Sequence, residues 1–509
     1  MKAIRKEPQD RYASAQQLSE DIERYLRGRP VAARARTWRY RSAKFVKRNK
    51  AGVAAAALVV LAIAVGMVTT IQERRRAERR FNDVRELANS LIFEVHDSIR
   101  NLPGATAARK LILQRAQEYL DRLAADSRSD PDLLRELASA YGRLGNVLGN
   151  SQDANFGNSE QALRDFLRDA ELRETVVASS PKSKDARREL AEAYMSVSLA
   201  YSRTKEGAKA EDYLQRAFTI LEPLAASNPD DQSIQFDLGK VLERKGQSFS
   251  ASGKWDEAMW CYEKSLAIYQ RLADADPKSD RYLSEVAFAH KHVGAVLIMN
   301  KQLGQALAEY RAALPIEEAQ HQADLQNQAK RYNITYTYSD IGYILADQGN
   351  FSGALDSYRK VLEIRSALAA ADPQDTRSRQ GLANTYMYIA RVLTKKGDFS
   401  RALENDKKAE SIRQALSQSD PANVRKRIDV LQSRAFVVTD SADLAFQPTT
   451  TRPQKLSLCR QAKIGLQKAL PGLLQYTELF VGEESEIVSN TQKAADRCNA
   501  IVAPHDKRE

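Results

Sequence analysis

Apolar residues along this chain fall into short helical stripes separated by turn residues. The stretch 378–421 shows the pattern plainly. Tyr386, Ile389, Ala390 and Leu393 recur at helical spacing, Lys396-Gly397-Asp398 interrupts them, and Phe399, Ala402, Leu403 and Ala409 form a second stripe. Steps of three and four residues put such side chains on one face of an α-helix. Gly397 suits the left-handed conformation that ends a helix. Asp420-Pro421 closes the second stripe, because proline cannot continue a helix. The pattern predicts a helix–turn–helix hairpin. Ala390 and Ala402 are expected where its two helices cross closely, as Gly342 and Ala354 are one unit earlier. A larger side chain there would overpack the contact at about 1–3 kcal/mol.

The same unit recurs. Ala162, Ala210, Ala258, Ala306, Ala354 and Ala402 are 48 residues apart, as are Gly246, Gly294 and Gly342, and Leu303, Phe351 and Phe399. Pro181, Pro229, Pro277, Pro373 and Pro421 keep the step, with Leu325 in the slot between Pro277 and Pro373. A fixed period of this size predicts a stacked array of identical supersecondary units. Such arrays offer extended binding surfaces. Six units occupy residues 130–421, and residues 422–509 are expected to form an irregular helical cap.

The repeats resemble the tetratricopeptide repeat. Tyr338, Ile341-Gly342, Leu345, Ala354, Tyr358 and Pro373 follow its pattern, while the 48-residue period exceeds the family's ~34. The resemblance implies that the first helix of each hairpin lines a concave face. Carried over, that face holds Glu192 and Met195, Lys240 and Glu243, Phe288 and Lys291, Tyr336, Ser339 and Tyr343, and Asn384, Met387 and Arg391. Tyr336 and Tyr343 share one helical face, whereas Tyr338 points at the core. The two tyrosines either pack between neighbouring units or, beside Lys291 and Arg391, line a groove for a peptide with an acidic group. The lysine–asparagine clamp that some family members use is not reproduced.

Upstream of the repeats, residues 51–71 carry no charge. As a helix they would span about 31 Å, the hydrocarbon thickness of a bilayer. We expect a single transmembrane helix, with 30–50 a basic juxtamembrane linker and 72–129 a stalk and N-terminal helical cap. Residues 34–50 hold eight Lys/Arg and no acid. That bias puts residues 1–50 in the cytoplasm and the repeats outside it, in a single-pass protein of the inner (plasma) membrane.

Residues 1–29 form their own short element. Ser14 and Gln17 can make a capping box, Leu18, Ile22, Tyr25 and Leu26 line one stripe, and Gly28 and Pro30 end the helix. Lys6-Glu7-Pro8-Gln9-Asp10-Arg11-Tyr12-Ala13-Ser14, with Leu18 and Asp21, resembles the last helix of a bacterial serine/threonine protein kinase domain. The resemblance implies that Arg11 pairs with a glutamate of an Ala-Pro-Glu motif, and that the chain is the C-terminal portion of a receptor-type kinase with a repeat ectodomain. The phosphate loop, strand lysine, catalytic loop and metal-binding motif of a kinase are missing from the chain. As given it is expected to be non-catalytic.

The net charge of +12 belongs to the N-terminal region. Residues 1–80 hold 20 Lys/Arg against 7 Asp/Glu, and the rest is balanced. Nucleic-acid binding by the repeats therefore has no electrostatic basis. His290 and His292 face different sides of a helix, so no metal site is expected. No cofactor is expected either. Cys261 reads as a buried thiol, and Cys459 and Cys498 as a possible disulfide in the terminal cap.

The sequence therefore predicts an all-α chain: one transmembrane helix followed by a solenoid of tetratricopeptide-like hairpins. Its expected role is a membrane-anchored scaffold or sensor that binds a protein or peptide, or self-associates. Two alternatives stand beside it, a fragment of a full serine/threonine kinase and an inert membrane scaffold.

Overall fold

The computed structural model describes residues 2–34, 37–52, 54–55, 59, 61–70, 72, 111, 114–121, 131–149, 159–203, 206–325, 327–373, 375–421, 423–476, 478 and 486–506. The chain divides into two compact units, Met1–Leu123 and Ala124–Glu509. Among the described residues every regular element is helical.

In the first unit, α1 (Ala15–Leu26) starts at Ser14, whose hydroxyl accepts from the Gln17 amide at 3.2 Å. The Gln17 side chain accepts in return from the amide of Ala13 at 3.0 Å. Gly28, at φ +66°, follows its end. Asp21 is buried and accepts from the Tyr12 hydroxyl at 2.6 Å and from the amides of Ala32 and Ala33. These bonds tie the chain after α1 back onto the helix. Arg11 donates to the carbonyls of Arg5 and Lys6 at 2.8 and 3.2 Å. The stripe residues Ile22, Tyr25 and Leu26 are exposed. Helix α2 (Trp38–Arg48) follows.

The transmembrane expectation is not met among the described residues, where no helix is long and apolar enough to cross a membrane. Residues 53, 56–58, 60 and 71 of the expected span lie outside them, as does most of the expected stalk. The described residues 61–70 are helical and exposed.

The second unit is a row of hairpins. The pairs are α3 (Pro131–Gly149) with α4 (Ser159–Ser179), α5 (Lys184–Arg203) with α6 (Gly207–Ser227), and α7 (Gln232–Ala251) with α8 (Trp255–Ala275). Next come α9 (Asp280–Met299) with α10 (Leu303–Ala323), α11 (Gln328–Asp347) with α12 (Phe351–Ala371), and α13 (Thr376–Lys396) with α14 (Phe399–Ser419). A further hairpin, α15 (Val424–Ala445) with α16 (Arg452–Gln475), and a last helix, α17 (Ile487–Asp506), end the chain.

Local chemistry sets each boundary. The first helix of a hairpin is capped by Asp231, Ser279, Asn327, Asp375 or Asn423, again 48 residues apart. Each side chain accepts an amide from the first turn that would otherwise lack a partner. The turn between the two helices needs a left-handed residue at Gly253, Lys301, Gly349 and Gly397. The recurring alanines Ala162, Ala210, Ala258, Ala306, Ala354 and Ala402 are all buried. A continuous apolar core runs through the central hairpins from Ala258 to Ala402. At the end of the row, Val438, Ala442, Ala462, Leu466, Ala494 and Val502 hold α15, α16 and α17 together. Cys459 of α16 is bonded to Cys498 of α17, with their Cα atoms 4.8 Å apart.

Candidate functional site

The central hairpins form a half-open cavity of about 680 Å³ lined largely by rings. Its construction follows from three glycines. A Cβ on Gly246, Gly294 or Gly342 would stand 2.6, 2.7 or 2.9 Å from a ring atom of Tyr262, Tyr310 or Tyr358. Each tyrosine of a second helix thus lies directly on the backbone of the first helix of its own hairpin, and all three rings reach the cavity. Each also meets a residue of the next hairpin. Tyr262 stacks on His292 at 4.8 Å and Tyr358 on Tyr388 at 5.7 Å. At the corresponding step Tyr310 bonds Asp340. Burial pushes the Asp340 carboxyl up to about 6 and raises the Tyr310 hydroxyl above its ordinary range.

Tyr336 and Tyr343 stand over this floor, 45% and 46% exposed. Beneath Tyr336 lies Arg365, 4% exposed, its guanidinium 5.5 Å from the ring centre. Arg365 donates to Thr335 at 3.1 Å, to the Gly381 carbonyl at 3.0 Å and to Thr385 at 3.2 Å. Desolvation lowers its pKa from the usual arginine value.

Six of the expected face residues are gathered along this trough. Tyr336, Ser339, Tyr343 and Asn384 line it, and Tyr343, Met387 and Arg391 line an adjoining cavity of about 570 Å³. Lys240, Glu243, Phe288 and Lys291 line neither. The expected free cations are engaged. Lys291 donates to Glu317 at 2.5 Å and covers Phe288, and Arg391 donates to Asp406 at 2.8 Å. Asn384 accepts from the buried Arg413 at 2.9 Å, and Met387 sulfur lies 3.6 Å from the same guanidinium. Glu243 accepts from Gln247 and Tyr269 and lies 3.3 Å from His292, and Lys240 lies over Phe236. Met195, expected on the face, is in the core, while Glu192 accepts from Arg188.

Sequence reading missed the floor residues Trp255, Tyr262, His292, Tyr310, Tyr358, Tyr388 and Arg365. The signal for the tyrosines was present: Tyr262, Tyr310 and Tyr358 are 48 apart, each 16 residues after a periodic glycine. Among the described residues no group of three His, Cys, Asp or Glu side chains is arranged to hold a metal ion.

Comparison with known proteins agrees with a helical repeat. Residues 335–375, covering most of α11 and all of α12, match the tetratricopeptide repeat family. That match lies inside the repeats and gives the kinase resemblance of residues 6–14 no support. No curated protein matches the chain. Among solved structures, the apo form of RapI is 14% identical, with 81% of this chain and 98% of that chain covered, at a TM-score of 0.47. Aspartyl phosphate phosphatase F from Bacillus subtilis is 13% identical over 82% of this chain and 93% of that one, at 0.42. A signal-transduction ATPase with a tetratricopeptide repeat sensor from Pyrococcus horikoshii is 12% identical over 71% and 52%, at 0.41.

Proposed function

We propose that the repeat array is a protein-interaction module that seats a partner's peptide segment in the ring-lined trough between Trp255 and Tyr388. One observation carries this reading: Tyr336 and Tyr343, seven residues apart on α11, each leave nearly half their surface uncovered above a ring floor. Tyrosines that served only to pack neighbouring hairpins would be buried, as Tyr262, Tyr310 and Tyr358 are. Large amphipathic rings over a concave floor supply contact area with little entropy to lose on binding.

A photo-crosslinking residue placed at position 343 in cells tests this, with one at the exposed Lys264 of α8 as control. Discrete adducts from position 343, absent from the control and lost on Tyr336→Ala, are expected. Equal adducts from both positions, or none, overturn the reading.

The same proposal attaches the chain to a membrane through residues 51–71. Leu61, Ile63, Val65, Met67 and Val68 are each more than half exposed on a helical segment. Uncovered apolar surface of this kind costs about 25 cal/mol per Å² in water. The hydroxyls of Thr69 and Thr70 donate back to the Gly66 carbonyl, which suits an apolar surround. The chain should resist alkaline extraction from membranes, and deletion of 51–71 should release it; an unchanged distribution refutes the tether. Reporter fusions after Arg48 and after Asp121 test the orientation, with cytoplasmic activity at the second overturning it.

A further inference from the structure

The ladder of rings along the trough ends where the period breaks. Positions 262, 310 and 358 hold tyrosine, and the next step of 48 is Asp406. Positions 296, 344 and 392 hold Val, Ile and Val, and the next step is Asp440. Both acids are as buried as the apolar residues they replace, at 0% and 1% exposed. They lie within hydrogen-bonding reach of one another, and desolvation holds both carboxyls above the ordinary range. Asp440 also accepts from Thr394 at 3.1 Å.

Arg391 fills the place of the missing ring. It donates to Asp406, and its guanidinium lies 3.4 Å from the centre of Phe436, which continues the register of His292, Asp340 and Tyr388. Arg391 Nε has no acceptor among the described residues. Buried charges are costly, and apolar residues of similar volume hold a fold at least as well. Ala390 stands in the glycine's slot and leaves no room for a tyrosine at 406, but apolar side chains would fill both positions at least as well, so the two acids do not serve packing. They fix a cation at the end of the trough.

That end opens into the 570 Å³ cavity, walled on one side by α17. Four cations line it, Arg391, Lys395, Lys493 and Arg497, against two carboxylates, Asp440 and Asp443. Arg497 is already bonded to Asp443. Lys395 and Lys493 are exposed and have no partner among the described residues. The cavity shares Tyr343, Tyr358 and Tyr388 with the trough, so a peptide in the trough leads directly into it.

We infer that this cavity is an anchor for an acidic segment of the bound peptide. Asp or Glu side chains would sit against Lys395, Lys493 and Arg391, with the adjoining apolar surface on Phe436 and Tyr388. Asp406 and Asp440 are positioning residues that act through Arg391. The inference rests on the trough being the peptide site.

The test selects a degenerate, acetylated and amidated peptide library on the full chain in detergent, so that only side chains carry charge. Selected peptides should be enriched in Asp or Glu at one or two adjacent positions. Lys395→Glu/Lys493→Glu, at exposed sites that leave the core alone, should abolish that enrichment and weaken the best acidic peptide about tenfold or more, the equivalent of one good charged contact. Tyr336→Ala should weaken all selected peptides whatever their charge. Asp406→Leu/Asp440→Val, which makes both slots apolar and leaves room for Ala390 in the glycine's slot, should keep or raise the melting temperature while losing the acidic preference. Peptides selected without acidic enrichment, or an enrichment indifferent to the lysine reversals, overturn the anchor and leave the trough standing. A melting temperature lowered by this apolar pair assigns the acids to structure and overturns their positioning role. Failure of the wild-type chain to select any peptide overturns the trough reading and the anchor with it.

Discussion

Tyr262 lies so close to Gly246 that a Cβ on the glycine would meet the ring's Cε1 at 2.6 Å and its Cδ1 at 2.8 Å. The contact is to a buried ring, which has little room to move. Gly246→Ala should gain about 1 kcal/mol of helix propensity and lose about 1–3 kcal/mol to overpacking, so the variant should be net destabilised. Tyr262→Leu in the same chain removes the ring and should make the alanine neutral or favourable. A double-mutant cycle by denaturant titration reads the coupling directly. Equal effects of Gly246→Ala with and without the tyrosine would show that the contact does not limit the hairpin.

The turns make an opposite prediction at one unit. Gly253, Gly349 and Gly397 adopt φ of +72°, +78° and +84°, but the fourth member of this register is Lys301, at φ +59°. A side chain in the left-handed region costs about 1–2 kcal/mol, partly offset by the greater freedom glycine has when unfolded. Lys301→Gly should therefore stabilise the chain by about 0.5–1 kcal/mol. Lys301→Ala is the control, since it removes the charge but keeps the Cβ, and should give no such gain. A gain from alanine equal to that from glycine would trace the effect to charge.

These two cases show what could be read from the residues. The period was legible because close helix crossings admit only small side chains, and Ala258, Ala306, Ala354 and Ala402 are indeed fully buried. The 48-residue register of caps from Asp231 to Asn423 was equally open to view, since those residue types favour helix starts. The trough floor was harder. It is built from the second helices, whose tyrosines reach it only because a glycine in the first helix lets them, a relationship between elements that no single stripe displays. Charge was hardest of all. Arg365, Arg413, Asp406 and Asp440 are buried, whereas charged residues on amphipathic helices ordinarily read as a solvated face. Asp406 and Asp440 are marked by their departure from the period, and Arg365 and Arg413 by standing 48 residues apart in a register that also holds Glu317.

The bond between Cys459 and Cys498 closes a separation of 39 residues and fixes α17, which supplies Lys493 and Arg497 to the second cavity. In the chain-entropy model a loop of that length is worth about 4 kcal/mol. Cys459→Ser/Cys498→Ser should lower the melting temperature and expose α17 to limited proteolysis. Thiol counting checks the bond itself. Cys261 is the remaining cysteine, fully buried, and burial pushes its thiol up to about 11. Alkylation and mass measurement should add no label to the native chain, one after denaturation without reductant, and three after reduction. Three labels without reductant would remove the bond.

Stability should fall as pH rises from 5 to 7.5. Burial pushes Asp169, Asp237 and Asp340 up to about 6, so the folded chain holds these protons more tightly than the unfolded one. Their contribution is complete below the unfolded carboxyl value of about 4 and is lost as pH rises through 6. Asp21, Asp231 and Asp420 shift the other way, and their effect is confined to pH below about 4. Asp340 is the clearest single case, because Tyr310 bonds its carboxyl while Glu317 raises its pKa and Lys291 and Arg365 lower it. With one pKa unit worth about 1.4 kcal/mol and the group only partly buried, its share is about 1–2 kcal/mol. Asp340→Asn keeps the shape and cannot titrate. Its melting temperature should drop less than the wild type's between pH 5 and 7.5, in scans followed by circular dichroism. A wild-type chain whose melting temperature is flat or rises over that interval would show that these carboxyls are ionised at no cost in the folded state, and the buried floor of the trough would have to be wetter than its geometry indicates.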